Sequence, residues 1–276
     1  MSESSKRIKL KRETIGFVPT MGALHKGHLS LIHQARKEND IVVVSIFVNP
    51  TQFGPSEDFK RYPRNLSSDS QLCRKEGVDI VFLPQAKDMY PTDYKTWVNV
   101  ADLTNVLCGK YRPGHFRGVA TVVTKLFNIV SPDIAYFGQK DAQQAIIIKK
   151  LASDLNMPIN IKVMPTVRER DGLAMSSRNI YLKQTERKDA IILYQALNLA
   201  KDLIKQGNRN SSMIISKMRQ LITQKKSAKI QYISITDLKN LKPIDRIKDK
   251  TLIALAVYIG KTRLIDNITV NLKDGK

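Results

Sequence analysis

His25 and His28 stand in the run Pro19-Thr20-Met21-Gly22-Ala23-Leu24-His25-Lys26-Gly27-His28, and the whole chain of 276 residues has only 4 histidines. Imidazoles this close can donate hydrogen bonds to phosphate oxygens and stabilise charge as a phosphorus becomes five-coordinate. Gly22 and Gly27 let a ligand approach the backbone. A metal pair is the competing chemistry, but no Cys, Asp or Glu lies nearby in sequence, so no protein-held metal is expected. Surface turn residues are the plainer alternative. A second run, Met175-Ser176-Ser177-Arg178, offers two hydroxyl donors and a planar guanidinium, a set suited to the outer phosphates of a nucleotide. Alone it would be an ordinary loop or helix cap. Gln52 and Gln144 carry amides that can donate to a carboxylate and accept from hydroxyls, although a Gln at a strand end is more often simply solvated. Lys140, in Phe137-Gly138-Gln139-Lys140-Asp141, would by itself be a surface lysine, and Arg112 and His115 are site candidates whose plainer role is to order their own loop.

These residues need a scaffold. The first half alternates short β-rich runs, at residues 14–19, 41–48, 78–83, 133–137 and 159–164, with helical patterns at 29–39, 66–76, 118–130 and 141–154. Residues 41–48 (IVVVSIFV) are almost continuously apolar and β-branched, as a strand covered on both faces requires. Strands alternating with helices predict a Rossmann-like, doubly wound parallel sheet. In such sheets ligands lie at the carboxyl edge, where the strand at 14–19 gives way to the histidine run. Helix starts there offer unpaired N–H groups and a partial positive charge. After Val167 the pattern changes to a long helix at 185–204, a second at 211–224, and strands at 230–236, 252–259 and 263–270. The expected organisation is a Rossmann-like domain over residues 1–167 and a smaller α+β domain over 168–276.

Composition bounds the alternatives. A 42% hydrophobic content with 13 Gly and 11 Pro supports a packed core. Two cysteines make no disulfide framework. No apolar run approaches the roughly 20 residues of a membrane span, and the charged start MSESSKRIKLKR lacks a signal core. A reduced, cytoplasmic protein is the reading. The 46 Lys and Arg against 25 Asp and Glu give a formal charge of +21. A nucleic-acid footprint would gather this charge into a stripe or tail; here it is spread along the chain, so no nucleic-acid partner is expected.

The His-x-Gly-His run paired with Met-Ser-Ser-Arg resembles the two signatures of the nucleotidylyl-transferase and class I aminoacyl-tRNA synthetase superfamily. Phe47-Val48-Asn49-Pro50-Thr51-Gln52, Arg112-Pro113-Gly114-His115-Phe116-Arg117-Gly118, Phe137 to Gln144 and Arg263-Leu264-Ile265-Asp266-Asn267 narrow this. In that order they resemble the pantothenate synthetases, or pantoate–β-alanine ligases, over nearly the whole chain. The resemblance implies condensation of pantoate with β-alanine through a pantoyl adenylate, with ATP as substrate and Mg2+ carried mainly by its phosphates. It implies ATP contacts from Met21, Gly22, Ala23, Leu24, His25, Lys26, Gly27, His28, Gly138, Gln139, Lys140, Asp141, Val167, Met175, Ser176, Ser177 and Arg178. His28, His25 and Lys140 would be catalytic, His28 taking the acid role. Gln52 and Gln144 would hold pantoate, with Gln52 bordering β-alanine; Asp69 and Asp141 are possible magnesium ligands. The small domain would be a lid, and a homodimer is implied. Many members carry a strand and helix before the first motif, and only a basic stretch, Ser5 to Arg12, is expected here. A nucleotidylyl transferase that moves AMP onto a phosphate, and a basic nucleic-acid-binding protein, remain as other readings.

Overall fold

The computed structural model describes residues 1–272. The chain runs through α1 (Ser2–Leu10), β1 (Ile15–Thr20), α2 (Lys26–Glu38), β2 (Ile41–Ile46), α3 (Leu66–Lys75), β3 (Ile80–Phe82), α4 (Ala86–Met89), α5 (Cys108–Tyr111), α6 (His115–Val130), β4 (Ile134–Gly138), α7 (Ala142–Asp154) and β5 (Asn160–Met164). The five strands form one parallel sheet in the order β3-β2-β1-β4-β5. The order reverses between β1 and β4, the switch point at which such sheets open a crevice beyond their carboxyl ends.

Both faces of the sheet are covered, which explains the unbroken apolar character of its central strands. Val18, Val42, Val44 and Tyr136 pack with Leu31, Ile32 and Ala35 of α2 and with Cys73 of α3. On α6, Phe127 meets Phe17 and Phe137 edge-on at centroid distances of 6.4 and 6.5 Å. One polar network is built into this core. Asn39 donates to the Tyr136 hydroxyl at 2.8 Å, that hydroxyl donates to Glu38 at 2.7 Å, and Lys162 pairs with the same carboxylate.

The sequence led to a basic stretch ahead of β1, and the structure corrects this: Ser2–Leu10 is helix α1. Glu3 pairs with Arg7 one turn on, acidic and basic ends match the helix dipole, and Lys9 pairs with Asp133. Its apolar residues are too few for a periodic signal, and it packs against α6.

A second compact unit comprises the described residues from Thr166 onward together with Val106–Cys108 and Lys140–Gln143. It holds α8 (Gln184–Asp189), α9 (Ile192–Lys205), α10 (Ser211–Ile222) and the antiparallel strands β6 (Ala228–Asp237), β7 (Thr251–Ile259) and β8 (Thr262–Val270), in the order β6-β7-β8. Leu193, Ala196, Leu197 and Ala200 of α9 and Ile214 and Met218 of α10 pack on Ile253, Leu255 and Val257 of β7. The single helix expected over residues 185–204 is two, α8 and α9. Ala190 and Ile191 between them keep helical dihedrals (φ −60°, ψ −23° and φ −59°, ψ −24°). The helix is interrupted without the backbone leaving helical space, and residue periodicity does not register such a break.

Candidate active site

The histidine run occupies the turn from β1 into α2, and its conformation is set from beneath. Gly22 and Ala23 both have positive φ, 81° and 50°. A Cβ on Gly22 would stand 2.9 Å from a carboxylate oxygen of Asp69 and 3.0 Å from Ile46, so both the backbone and the space demand glycine. Asp69, on α3 and only 2% exposed, accepts from the amides of Ala23 and Leu24 at 2.9 and 2.8 Å, one with each oxygen. Thr20 accepts from the Gly22 amide at 3.1 Å and donates to the Ser45 carbonyl.

His25 is the N-cap of α2. Its Nδ1 accepts from the Gly27 amide at 3.1 Å, and the His28 Nδ1 accepts from the His25 amide at 3.3 Å. This is a capping box in which two imidazoles replace the usual hydroxyl and carboxylate. A backbone N–H can only donate, so each Nδ1 is an acceptor. The neutral rings therefore carry their protons on Nε2 and present that atom as a donor. The rings lie 4.1 Å apart at 35°. One arrangement thus starts the helix and fixes both tautomers.

Gln52 follows β2 in a short 3-10 turn and is 9% exposed. Its amide nitrogen lies 3.0 Å from the sulfur of Met21, and its amide oxygen accepts from Asn49 at 3.1 Å. Asn49 also donates to the Gly118 carbonyl at 3.2 Å. A Cβ on Gly118 would fall 2.4 Å from the Thr51 carbonyl oxygen, so α6 approaches this turn only because residue 118 is glycine. From the other side His115 Nδ1 lies 2.8 Å from the Gln52 carbonyl and donates to it, while its Nε2 accepts from Arg112 at 2.9 Å. Arg112 forks onto Glu57 with two 2.6 Å bonds. Burial pushes the Glu57 carboxyl up, and the Arg112 guanidinium together with the Gly54 amide and His115 holds it below its ordinary value. Arg112 and His115 therefore do more than order their own loop: they clamp the backbone of Gln52. Gln144 is partly buried on the first turn of α7.

Gly138 ends β4, and Gln139, Lys140 and Asp141 form a 3-10 turn. No described atom lies within 4 Å of a Cβ built on Gly138, so packing does not dictate that glycine. In the second unit, the Lys140 ammonium lies 3.6 Å from Asp141, and the Lys140 carbonyl accepts from Asn267 at 2.9 Å. Val167 and Met175 are joined, the Met175 amide donating to the Val167 carbonyl at 3.0 Å. Ser176 caps the turn that carries Ser177 and Arg178, accepting from the Arg178 amide at 3.2 Å. Asn179 ties this turn to Glu169 at 2.8 Å, and Arg187 pairs with both Glu169 and Asp171.

The structure thus brings Met21 to Gln52, His25 to His28, and Val167 to Met175. Sequence reasoning assigned no positioning role to Asp69, Asn49, Glu57 or Gly118. A carboxylate inside a helix and a glycine on a helix face carry no local signature of a partner on another element. As for metal, both Asp69 oxygens already accept loop amides and Asp141 pairs with Lys140. The described residues contain no group of three His, Cys, Asp or Glu able to cage an ion.

The pantoate-beta-alanine ligase model matches residues 1–269. The chain belongs to the pantoate-beta-alanine ligase family. A pantothenate synthetase of Caldicellulosiruptor saccharolyticus is 57% identical over 99% of this chain and 97% of its own length. Among solved structures, the pantothenate synthetase of Thermus thermophilus superposes with a TM-score of 0.91 at 42% identity, covering 96% of each chain. The pantoate-beta-alanine ligase of Francisella tularensis, complexed with beta-gamma ATP and beta-alanine, superposes with a TM-score of 0.78 at 40% identity, covering 96% of this chain and 94% of that one. The doubly wound sheet and the small antiparallel unit are accordingly the fold of this ligase family. Among the described residues no helix is long and apolar enough to cross a membrane.

Proposed function

We propose that this ligase joins pantoate to β-alanine in two steps on one crevice, with MgATP as the activating substrate. A pantoate carboxylate oxygen attacks the α-phosphorus, the bond from that phosphorus to the bridging oxygen of the β-phosphate breaks, and pyrophosphate leaves. The amine of β-alanine then attacks the acyl carbon of pantoyl adenylate. AMP departs with the former carboxylate oxygen, and the amine nitrogen gives up its proton.

The observation that carries the reading is the doubly capped helix start, where His25 and His28 are locked as Nε2–H donors. Donors fixed in advance stabilise developing charge without reorganising during the reaction. His25, His28 and Lys140 act on the reacting phosphates, His28 as the acid. Met21 to His28, Gly138 to Asp141, Val167 and Met175 to Arg178 form the nucleotide surface. Gln52 and Gln144 hold pantoate, and Gln52 borders the β-alanine position; the clamp of Arg112 and His115 on its backbone supports that placing. Magnesium would enter with the nucleotide, bound mainly through its phosphates.

The domain organisation in this reading is an ATP- and pantoate-binding part over residues 1–167 and a cover over 168–276 that shields the mixed anhydride from water. The working form is a homodimer in a reducing cytoplasm, without nucleic-acid or membrane partners. Both cysteines, Cys73 and Cys108, are buried as free thiols, which suits such a compartment. Pantoate labelled with oxygen-18 in its carboxylate tests the chemistry: the label should appear in AMP, and an unlabelled AMP would overturn the adenylate route.

A further inference from the structure

We propose that Asn267 and Asp266, neighbours on β8, position Lys140 and the root of the Ser176–Arg178 loop together, so that one strand sets two phosphate-directed groups. The Asn267 side chain donates to the Lys140 carbonyl at 2.9 Å across 127 residues of sequence. The Asn267 backbone N–H donates to the Asp266 carboxylate at 2.8 Å. The same Asp266 carboxylate takes the two terminal guanidinium nitrogens of Arg168, at 2.6 and 3.0 Å, and Arg168 donates further to the Gly172 carbonyl at 3.0 Å. Arg168 also lies over the Tyr194 ring at 4.3 Å and pairs its backbone with Ala174, directly before Met175.

These groups are built in, not draped on the surface. Asp266 and Asn267 are 2% and 4% exposed, and a buried carboxylate or amide is retained at a cost that its partners must offset. The β-sheet does not need the Asn267 side chain. Strand β8 is already paired with β7 along its whole length, with Asn267 opposite Ala254. What the amide adds is a bond to the main chain of a segment from the other end of the sequence, and that segment carries Lys140. Residues 140–143 accordingly cluster with the second unit. The bond fixes the peptide from which the Lys140 side chain projects, while Asp266 fixes Arg168 at the start of the serine loop.

This role rests on the reading of Lys140 as the cation at the α-phosphate. A double-mutant cycle tests it, with the pantoate-dependent exchange of pyrophosphate into ATP as readout. Asn267→Ala should lower the exchange rate constant about 10- to 100-fold, with the KM for β-alanine in the full reaction unchanged. In a Lys140→Ala background, Asn267→Ala should cost nothing further, because no ammonium is left to aim. Asn267→Leu, which keeps the volume and removes the donor, should match Asn267→Ala and serves if the smaller side chain unfolds the enzyme. Additive losses, or a wild-type exchange rate in both Asn267 variants, would overturn the role. A Lys140→Ala enzyme that exchanges at the wild-type rate would instead sink the reading of Lys140 itself.

Discussion

His28 has two jobs on two ring nitrogens, and they can be separated. Nδ1 accepts the His25 amide and helps start α2, while in the proposed reaction Nε2–H is the donor to the phosphate. An asparagine oxygen reaches roughly where Nδ1 sits, and a glutamine amide reaches toward Nε2. His28→Asn should therefore keep the cap, with an unchanged thermal midpoint, yet lose about 10²-fold in adenylate formation, the usual scale for one lost transition-state donor. His28→Gln should recover part of the rate while weakening the cap. Rapid-quench measurement of single-turnover adenylate formation, beside thermal melts, would check this. Equal rates in the two variants would show that Nε2 has no separate part. Asp69 belongs to the same scale. With one oxygen on each of two loop amides it is a positioning group, and Asp69→Asn, which turns one acceptor into a donor facing an N–H, should raise the ATP KM severalfold in steady-state assays.

At the scale of elements, α6 and the turn after β2 meet at Gly118. A methyl group there would press on the Thr51 carbonyl at 2.4 Å, and overpacking of this kind costs about 1–3 kcal/mol. Gly118→Ala should displace the Gln52 turn, so the pantoate KM should rise more than the ATP KM, with a lower thermal midpoint. An unchanged KM ratio would mean that the turn does not set the pantoate position. The sequence displayed the parallel strands clearly because burial on both faces leaves an apolar run, and it displayed the histidine turn because its residue types are rare elsewhere in this chain. It hid α1, which has few apolar residues and touches α6, and it hid the break at Ala190, where helical dihedrals persist. It also hid the supports of the site. Asn49, Glu57 and Gly118 act through partners far away in sequence, and their spacing along the chain bears no trace of those partners.

Over the whole molecule, acid sensitivity has an identifiable source. The Glu38 carboxyl is held at about 2, below its ordinary 4.5, chiefly by the Lys162 hydrogen bond and then by the Tyr136 hydroxyl. Its folded value lies below its unfolded one, so its stabilisation is complete above pH 4.5 and is lost as pH falls from there toward 2. Asp266 works in the opposite sense: burial outweighs the Arg168 pair and leaves it above the usual carboxylate value. Glu38→Gln should therefore flatten the acid limb of a stability profile between those limits. Denaturant melts at stepped pH would show it, and an unchanged acid limb would place the sensitivity elsewhere. The net charge of +21 adds self-repulsion as acid neutralises the carboxylates.

The proposed catalysis requires the enzyme to make an adenylate from ATP and pantoate before the amine takes part. Exchange of labelled pyrophosphate into ATP measures that step directly. The expected result is exchange that requires pantoate and proceeds without β-alanine. Exchange that needs β-alanine, or that runs without pantoate, would contradict it.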